Sequence, residues 1–458
     1  MTDLSAPSAR AVALGHLLRV EADGAFVARV AGRADRDAAT GGGAAPDVSR
    51  RASDYVAGVT RQRRWLDFQL SHVVSRPLAR LDPPLLQILR LGAYDLLVRK
   101  TPPHAAVSEA VDLARAEVNP GAVGLVNGVL RALARRLGDL PTPASGDAAD
   151  DLAVRQSHPT ALVRGWLEAF GEDATRALLD HNNRPPVYGL RVTAAARVGA
   201  DADAEREAFR VAVGALGASA DESRWLPDFV TTQALQPVLR AGWAREGRCA
   251  VQDEAAGLVV RVLDAGPGER VLDGAAAPGG KAVYAALRGA AVVALDVNPA
   301  KTRLVADAAR AQGVTTIEAV AGDLREWADP DGADSDGFDA VLLDAPCSGT
   351  GVLAKRADLR WNQSPERTAS LIRLQDDLLD AAARHVRVGG RLVYATCSVE
   401  RAENDDRVAA FLARKTGWRV DPVGDRVPAA MSDGPVYRAL PHVTGTDGAF
   451  AVRLVRDA

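Results

Sequence analysis

Cysteine, lysine, methionine and the aromatic residues are all scarce in this 458-residue chain. Its three cysteines, Cys249, Cys347 and Cys397, cannot form a disulfide framework, and their spacing fits no zinc motif. The seven histidines are scattered, so no His-rich metal cluster is expected. No stretch reaches the roughly 18 apolar residues of a membrane span, and the N-terminus carries no signal-peptide pattern. These absences argue against a secreted disulfide scaffold and against membrane insertion. A cytoplasmic monomer with reduced thiols and no metal is expected. What is there is ordinary for a globular protein, 47% hydrophobic and 25% charged. At roughly 150 residues per domain, the length suggests about three domains.

The net charge of −3 conceals a split. Residues 1–140 carry 19 Lys+Arg against 14 Asp+Glu, and the remainder carries 37 against 45. A basic N-terminal module on an acidic body points to a polyanion held at one end. Arg61, Arg63, Arg64, Arg131, Arg135 and Arg136 are the candidate RNA contacts. Only five of the 56 basic residues are lysine, which weakens any single arginine cluster as a nucleic-acid signal.

Helical periodicity fills residues 1–140. Leu85, Ile88, Leu89 and Leu96 form one stripe, entered through Pro83-Pro84. Val107, Ala110, Val111, Ala114 and Val118 form a second, and Val126, Val129, Leu130, Leu133 and Leu137 a third. Ser108, Asn119 and Pro120 read as breaks between helices. Gly41-Gly42-Gly43, followed by Pro46, reads as a loop. This predicts an all-α bundle. Residues 141–157 have the composition of an exposed linker. Residues 158–245 read as a small connecting α/β subdomain, with a helix at Leu162–Phe170 and a strand at Tyr188–Thr193. From 246 to 458, short apolar runs alternate with helical stretches, the pattern of a mostly parallel sheet. The runs are Arg270–Leu272, Ala291–Leu295, Thr316–Val320, Phe338–Leu343 and Arg391–Ala395, with Ala449–Leu454 as a last strand.

Ala275-Ala276-Ala277-Pro278-Gly279-Gly280-Lys281 leaves the first of those runs and enters a helix. Small residues there let a ligand approach the backbone, and a helix start offers free N–H groups. The loop lacks the G-x-G-x-x-G of dinucleotide sites. It also departs from a P-loop, with Ala275 for the first glycine and Ala282 for Ser/Thr. Asp296 ends the next strand, 23 residues after Asp273, where a carboxylate suits ribose hydroxyls. Asp323 ends the third and could accept from an adenine amino group. Three strand-end acids without a phosphate loop suit S-adenosylmethionine.

Cys347, in Asp344-Ala345-Pro346-Cys347-Ser348, and Cys397, in Thr396-Cys397-Ser398, both lie just past strand carboxyl ends, where open α/β sheets place their sites. Cys249 has no motif and reads as a small buried hydrophobe. With the 275–281 loop, these two motifs resemble the RNA 5-methylcytosine methyltransferases. The match runs over Gln252–Leu454 and includes Gln252-Asp253, Asp358-Leu-Arg-Trp361 and Glu403-Asn404. Leu89-Arg-Leu-Gly-Ala-Tyr94, His104-Ala-Ala-Val-Ser-Glu-Ala110 and Val126-Asn127-Gly-Val-Leu-Arg131 resemble the NusB RNA-binding fold. The combination resembles the RsmB (Sun/Fmu) family of bacterial 16S rRNA cytosine-5 methyltransferases.

That resemblance implies a NusB-like bundle, a connecting α/β subdomain and a Rossmann-like class I methyltransferase domain. It also implies S-adenosylmethionine as methyl donor and 16S rRNA, free or partly assembled, as partner. Cys397 would add to carbon 6 of the cytosine, because carbon 5 alone is too weak a nucleophile to take a sulfonium methyl. Cys347 would serve product release, and Asp344 would bind the cytosine edge. Lys281 would fix the loop or approach the methionine carboxylate. The sequence departs from the family at Ala275, Ala282, Ala357 and Ala449, none of them a chemical position. A NusB-like binding factor with a decayed catalytic half would not keep Cys347, Cys397 and Asp344 together. An NAD enzyme is disfavoured by the missing glycine fingerprint, and a tRNA or 23S rRNA target is the nearest competitor.

Overall fold

Proline-opened helices build the first part of the fold. The computed structural model describes residues 8–23, 45–330 and 337–457. It divides into two compact units, one running to Asn183 and taking in Lys355–Gln363, the other holding Arg184–Ala354 and Ser364–Ala458. The bundle of the first unit comprises α1 (Ala9–Asp23), α2 (Pro46–Ser71), α3 (Pro83–Leu97), α4 (Pro103–Glu117) and α5 (Pro120–Arg135). Proline opens the last four of these helices, where it is tolerated because its missing N–H would have no helical partner. The expected stripes face inward: Ile88, Leu89, Leu96, Ala110, Ala114, Val126, Leu130 and Leu133 are buried. Ser108 is no break, since it lies inside α4. The chain turns instead at Asn119, whose Oδ1 accepts from the Ala122 N–H at 3.0 Å. Gly41–Gly43 lie outside the described residues.

The stretch expected as a linker contains α6 (Ala148–Arg155), with Leu152, Ala153 and Val154 buried. Asp147 accepts from the Ala149 N–H at 3.0 Å, so an aspartate that reads as loop composition is a helix cap. With α7 (Thr160–Phe170) and α8 (Glu172–Asn183), this helix belongs to the first unit, which therefore extends past residue 140.

Several arginines expected at an RNA surface are used inside this unit. Arg64 donates to the His158 carbonyl and to Asp150, at 2.7 Å each. Arg63 lies over the Trp361 ring, 5.4 Å from its centroid. The Arg61 carbonyl accepts from Arg360 at 3.2 Å. Arg131, Arg135 and Arg136 remain exposed. Arg360 is fully buried, and its guanidinium also donates to the Ser157 carbonyl at 3.1 Å, the Asn182 carbonyl at 3.1 Å and Asn183 Oδ1 at 3.0 Å. Beside it, Trp361 Nε1 donates to the Thr60 carbonyl at 2.8 Å. Both residues follow Cys347 in sequence yet pack in the first unit.

The second unit opens with a four-stranded antiparallel sheet, ordered β2 (Asp221–Glu222), β3 (Phe229–Thr232), β1 (Tyr188–Val192), β4 (Cys249–Val251). Its core holds Leu190, Val192, Val230 and the buried Cys249. Burial pushes the Cys249 thiol up to about 12, so this cysteine is the inert hydrophobe its surroundings suggested. The larger sheet contains β5 (Arg270–Asp273), β6 (Ala291–Asp296), β7 (Ile317–Ala321), β8 (Phe338–Asp344) and β9 (Val386–Thr396). These five are parallel in the order β9-β8-β5-β6-β7, and the last strand of the chain, Ala449–Arg456, adds antiparallel to β9. Every sequence-predicted strand is present. The chain order reverses at β5, beside β8, which puts the ligand crevice of an open α/β sheet at their carboxyl ends.

The surroundings of Arg360 carry a prediction. Arg360→Ala removes the donor for four acceptors and leaves a cavity, so it should destabilise the first unit by about 3 kcal/mol. Urea unfolding followed by tryptophan fluorescence measures this, and an unchanged midpoint would mean that these hydrogen bonds contribute little.

Candidate active site

Register brings the two cysteine turns together. On adjacent parallel strands, Asp344 of β8 lies level with Ala395 of β9. Cys347 and Cys397 follow by three and two residues, and their sulfurs stand 3.4 Å apart, both partly exposed. The two turns are stitched by backbone hydrogen bonds. Ala345 N donates to the Ala395 carbonyl at 2.8 Å, and Gly351 N to the Cys397 carbonyl at 3.0 Å. Glycine is required at 351, because a Cβ there would come within 2.7 Å of Gly448 Cα and 2.8 Å of the Cys397 carbonyl. Below the sulfurs, Ser398 Oγ meets Ser348 Oγ at 3.3 Å and Thr350 Oγ1 at 3.2 Å. Asn404 donates to the Ser398 carbonyl at 2.9 Å and accepts from Thr396 Oγ1 at 2.6 Å.

The 275–281 loop runs from the end of β5 into α12 (Gly280–Leu287), after α9 (Ala202–Ala215), α10 (Leu235–Arg240) and α11 (Glu254–Leu263). Gly279 sits at φ +103°, a conformation that favours glycine. Asp296 is buried and accepts from the Ala277 N–H at 3.3 Å and the Asn298 N–H at 2.9 Å, so it shapes the loop. Asp323 accepts from Arg325 through its main chain and guanidinium, at 3.0 Å from each of N and Nε. Ala275, Ala276, Ala277 and Pro278 form the loop's backbone wall, in which Ala276 N donates to the Leu295 carbonyl at 2.9 Å.

Lys281 is brought to the cysteines. Its Nζ lies 2.6 Å from Asp344 Oδ2. Burial opposes its charge, but Asp344, Cys397 and Asp273 together hold the ammonium above its ordinary value. Asp273 is only 2% exposed; burial and the neighbouring Asp344 push its carboxyl up to about 7. Sequence pattern marks Asp273 as a strand end and gives no sign of this coupling. Gln252 is a second residue without an expected role. It is buried, and neither Oε1 nor Nε2 has a hydrogen-bond partner. A Cβ added at Gly280 would lie 3.6 Å from its amide carbon. An unpaired buried amide beside a helix start fits a polar ligand in this loop. The residues present, the 275–281 backbone and the unpaired Gln252 amide, therefore fit a ligand such as S-adenosylmethionine.

Comparisons with known proteins agree with this geometry. A family model described as 16S rRNA methyltransferase RsmB/F matches residues 260–455, and one for the NusB family matches residues 7–135. The chain is 32% identical to the probable ribosomal RNA small subunit methyltransferase B of Bacillus subtilis, over 87% of this chain and 88% of that protein. It is 36% identical to the ribosomal RNA small subunit methyltransferase B of Xylella fastidiosa (strain Temecula1), over 90% and 88%. The fold is similar to the crystal structure of PH0851, with a TM-score of 0.79 at 24% identity, over 99% of this chain and 100% of that one.

The raised Asp273 carboxyl predicts a pH effect. An unfolded aspartate releases its proton near pH 4, whereas the folded one holds it to about 7. Its contribution therefore falls as pH rises through that window and is level above it. The unfolding temperature of Asp273→Asn should gain on the wild type between pH 4 and 7. A constant difference across that range would place the folded carboxyl at its ordinary value.

Proposed function

Because this chain belongs to the RsmB/F family of 16S rRNA methyltransferases, which use S-adenosylmethionine, we propose that it methylates carbon 5 of a cytosine in 16S rRNA. The observation that carries this reading is the pair of sulfurs 3.4 Å apart, with the Lys281–Asp344 pair within electrostatic reach. One isolated thiol would serve addition alone. Two in contact serve addition and release.

The target base leaves its stack to reach the turn between β8 and β9. Cys397 adds as thiolate to carbon 6, and the displaced electrons make carbon 5 nucleophilic. Asp344 takes the cytosine edge, and Lys281 holds that carboxylate in place. The ammonium also favours negative charge on Cys397. S-adenosylmethionine, bound along the 275–281 loop, supplies an electrophilic methyl group on a sulfonium. Carbon 5 takes this methyl and then gives its proton to water at the partly exposed site; the electrons of that C–H bond re-form the 5,6 double bond as the carbon 6–sulfur bond breaks and frees Cys397 as thiolate. Cys347 lies where its S–H can donate to the departing sulfur.

RNA is also expected to meet the helical bundle. Between α4 and α5, a groove of about 590 Å³ is lined by His104, Val107, Asn127, Arg131 and Arg135. With Arg63 and Arg64 engaged elsewhere, Arg131 and Arg135 are the cations that line this groove.

Cys397→Ala should abolish methyl transfer while S-adenosylmethionine binding persists. Cys347→Ala should accumulate an enzyme–RNA adduct that survives denaturing electrophoresis; if an adduct formed only with Cys397 absent, the roles would be exchanged. Replacing Arg131 and Arg135 by alanine should flatten the salt dependence of RNA affinity, by about 0.7 in log–log slope for each single-strand phosphate no longer neutralised. An unaltered slope would remove this face from the RNA site.

A further inference from the structure

The two sulfurs touch each other but differ in environment. Glu403, on the turn Arg401–Glu403 that follows Cys397, is fully buried. Its Oε1 accepts from the Ser348 N–H at 2.9 Å and from Gln375 Nε2 at 3.1 Å. Its Oε2 accepts from the Ser348 hydroxyl. Gln375 also donates to the Pro346 carbonyl at 2.9 Å. The residues on either side of Cys347 are thus both tied to one buried carboxylate. All of these partners are neutral donors, so its negative charge is solvated and not cancelled. Cys397 instead lies within reach of the Lys281 ammonium.

We propose that Glu403 is a positioning residue that makes the two thiols unequal: it clamps the Pro346–Ser348 turn and sets a fixed anion beside Cys347, so that Cys397 is the sulfur that ionises. This rests on the reading of Cys397 as nucleophile and supplies its physical basis. Cys347 keeps its proton and aims it at Cys397, first steadying the thiolate and later the sulfur that leaves carbon 6. The hydrogen bond to Cys397, burial, and the charges of Cys397 and Glu403 all hold the Cys347 thiol well above its ordinary value. The other groups facing the pair leave the asymmetry in place. Tyr394 lies beside Cys347 and Glu403, is itself held well above its usual range by burial, and donates to the Glu403 carbonyl at 2.6 Å. Arg407 beyond it is paired with Asp376 at 2.6 Å. On the other side, Asp344 and Asp273 face Lys281.

Site-resolved alkylation by iodoacetamide as a function of pH tests this on the full chain without RNA. In the wild type, Cys397 should react at lower pH than Cys347. In Glu403→Gln the Cys347 profile should move down, with its rate near pH 8 rising about tenfold for each unit that its titration moves. Glu403→Asp, which keeps the charge, should keep the order. Ser348→Ala, which loosens the clamp but spares the charge, should keep it too. Equal profiles in the wild type, or no movement in a folded Glu403→Gln protein, would overturn the proposal. Because no nucleic acid is present, the result does not depend on the base methylated. If Cys397 reacts first yet no 5-methylcytosine forms on 16S rRNA, the proposed function fails while this inference stands.

Discussion

The pairing of β8 with β9 is the constraint on which the site depends. Asp344 faces Ala395 across two parallel strands, and the turns that follow differ in length by one residue before each reaches its cysteine. A slip of one residue would turn each strand's side chains to the opposite face and separate the sulfurs. The register is protected by burial, since Val341, Leu343, Leu392 and Tyr394 are all inaccessible. Gly351 and Gly448 then let the turns close on each other where any side chain would hold them apart.

Around that meeting of sulfurs the protein gathers charge where water is largely excluded. Lys281 stands among Asp344, Asp273 and Cys397, and Glu403 stands behind Cys347. In such surroundings each charge acts more strongly than it would in solvent, and unpaired ones are costly. The arrangement is economical: one ammonium serves the Asp344 carboxylate and the Cys397 sulfur at once. Asp273, pushed up to about 7, is the member whose protonation adjusts when a neighbour changes charge.

The parallel strands were legible because strands covered on both faces read as unbroken apolar runs, as in Phe338–Leu343. The cysteine turns were legible because polar motifs follow those runs directly. The two- to four-residue antiparallel strands β2, β3 and β4 carry too little pattern to stand out. Helix α6 was hidden because Asp147 has the same composition whether it caps a helix or sits in a loop. Arg63 and Arg64 suggested a surface because close cations look alike whether solvated or satisfied by a ring, a carbonyl and a carboxylate. Gln252 and Glu403 were visible as letters of a resemblance. Their burial comes from residues distant in sequence, such as Gly280 for one and Ser348 for the other.

The excursion of Lys355–Gln363 into the first unit bears on how the chain is made. Arg360 and Trp361 bind carbonyls at Thr60, Arg61, Ser157 and Asn182. A ribosome adds roughly 5–20 residues per second, so about ten seconds or more separate the emergence of Asn183 from that of Trp361. During that interval those acceptors wait with only solvent or chaperones to cover them. The domain made first is thus among the last to be finished, and its completion reports that translation has passed the Cys347 turn.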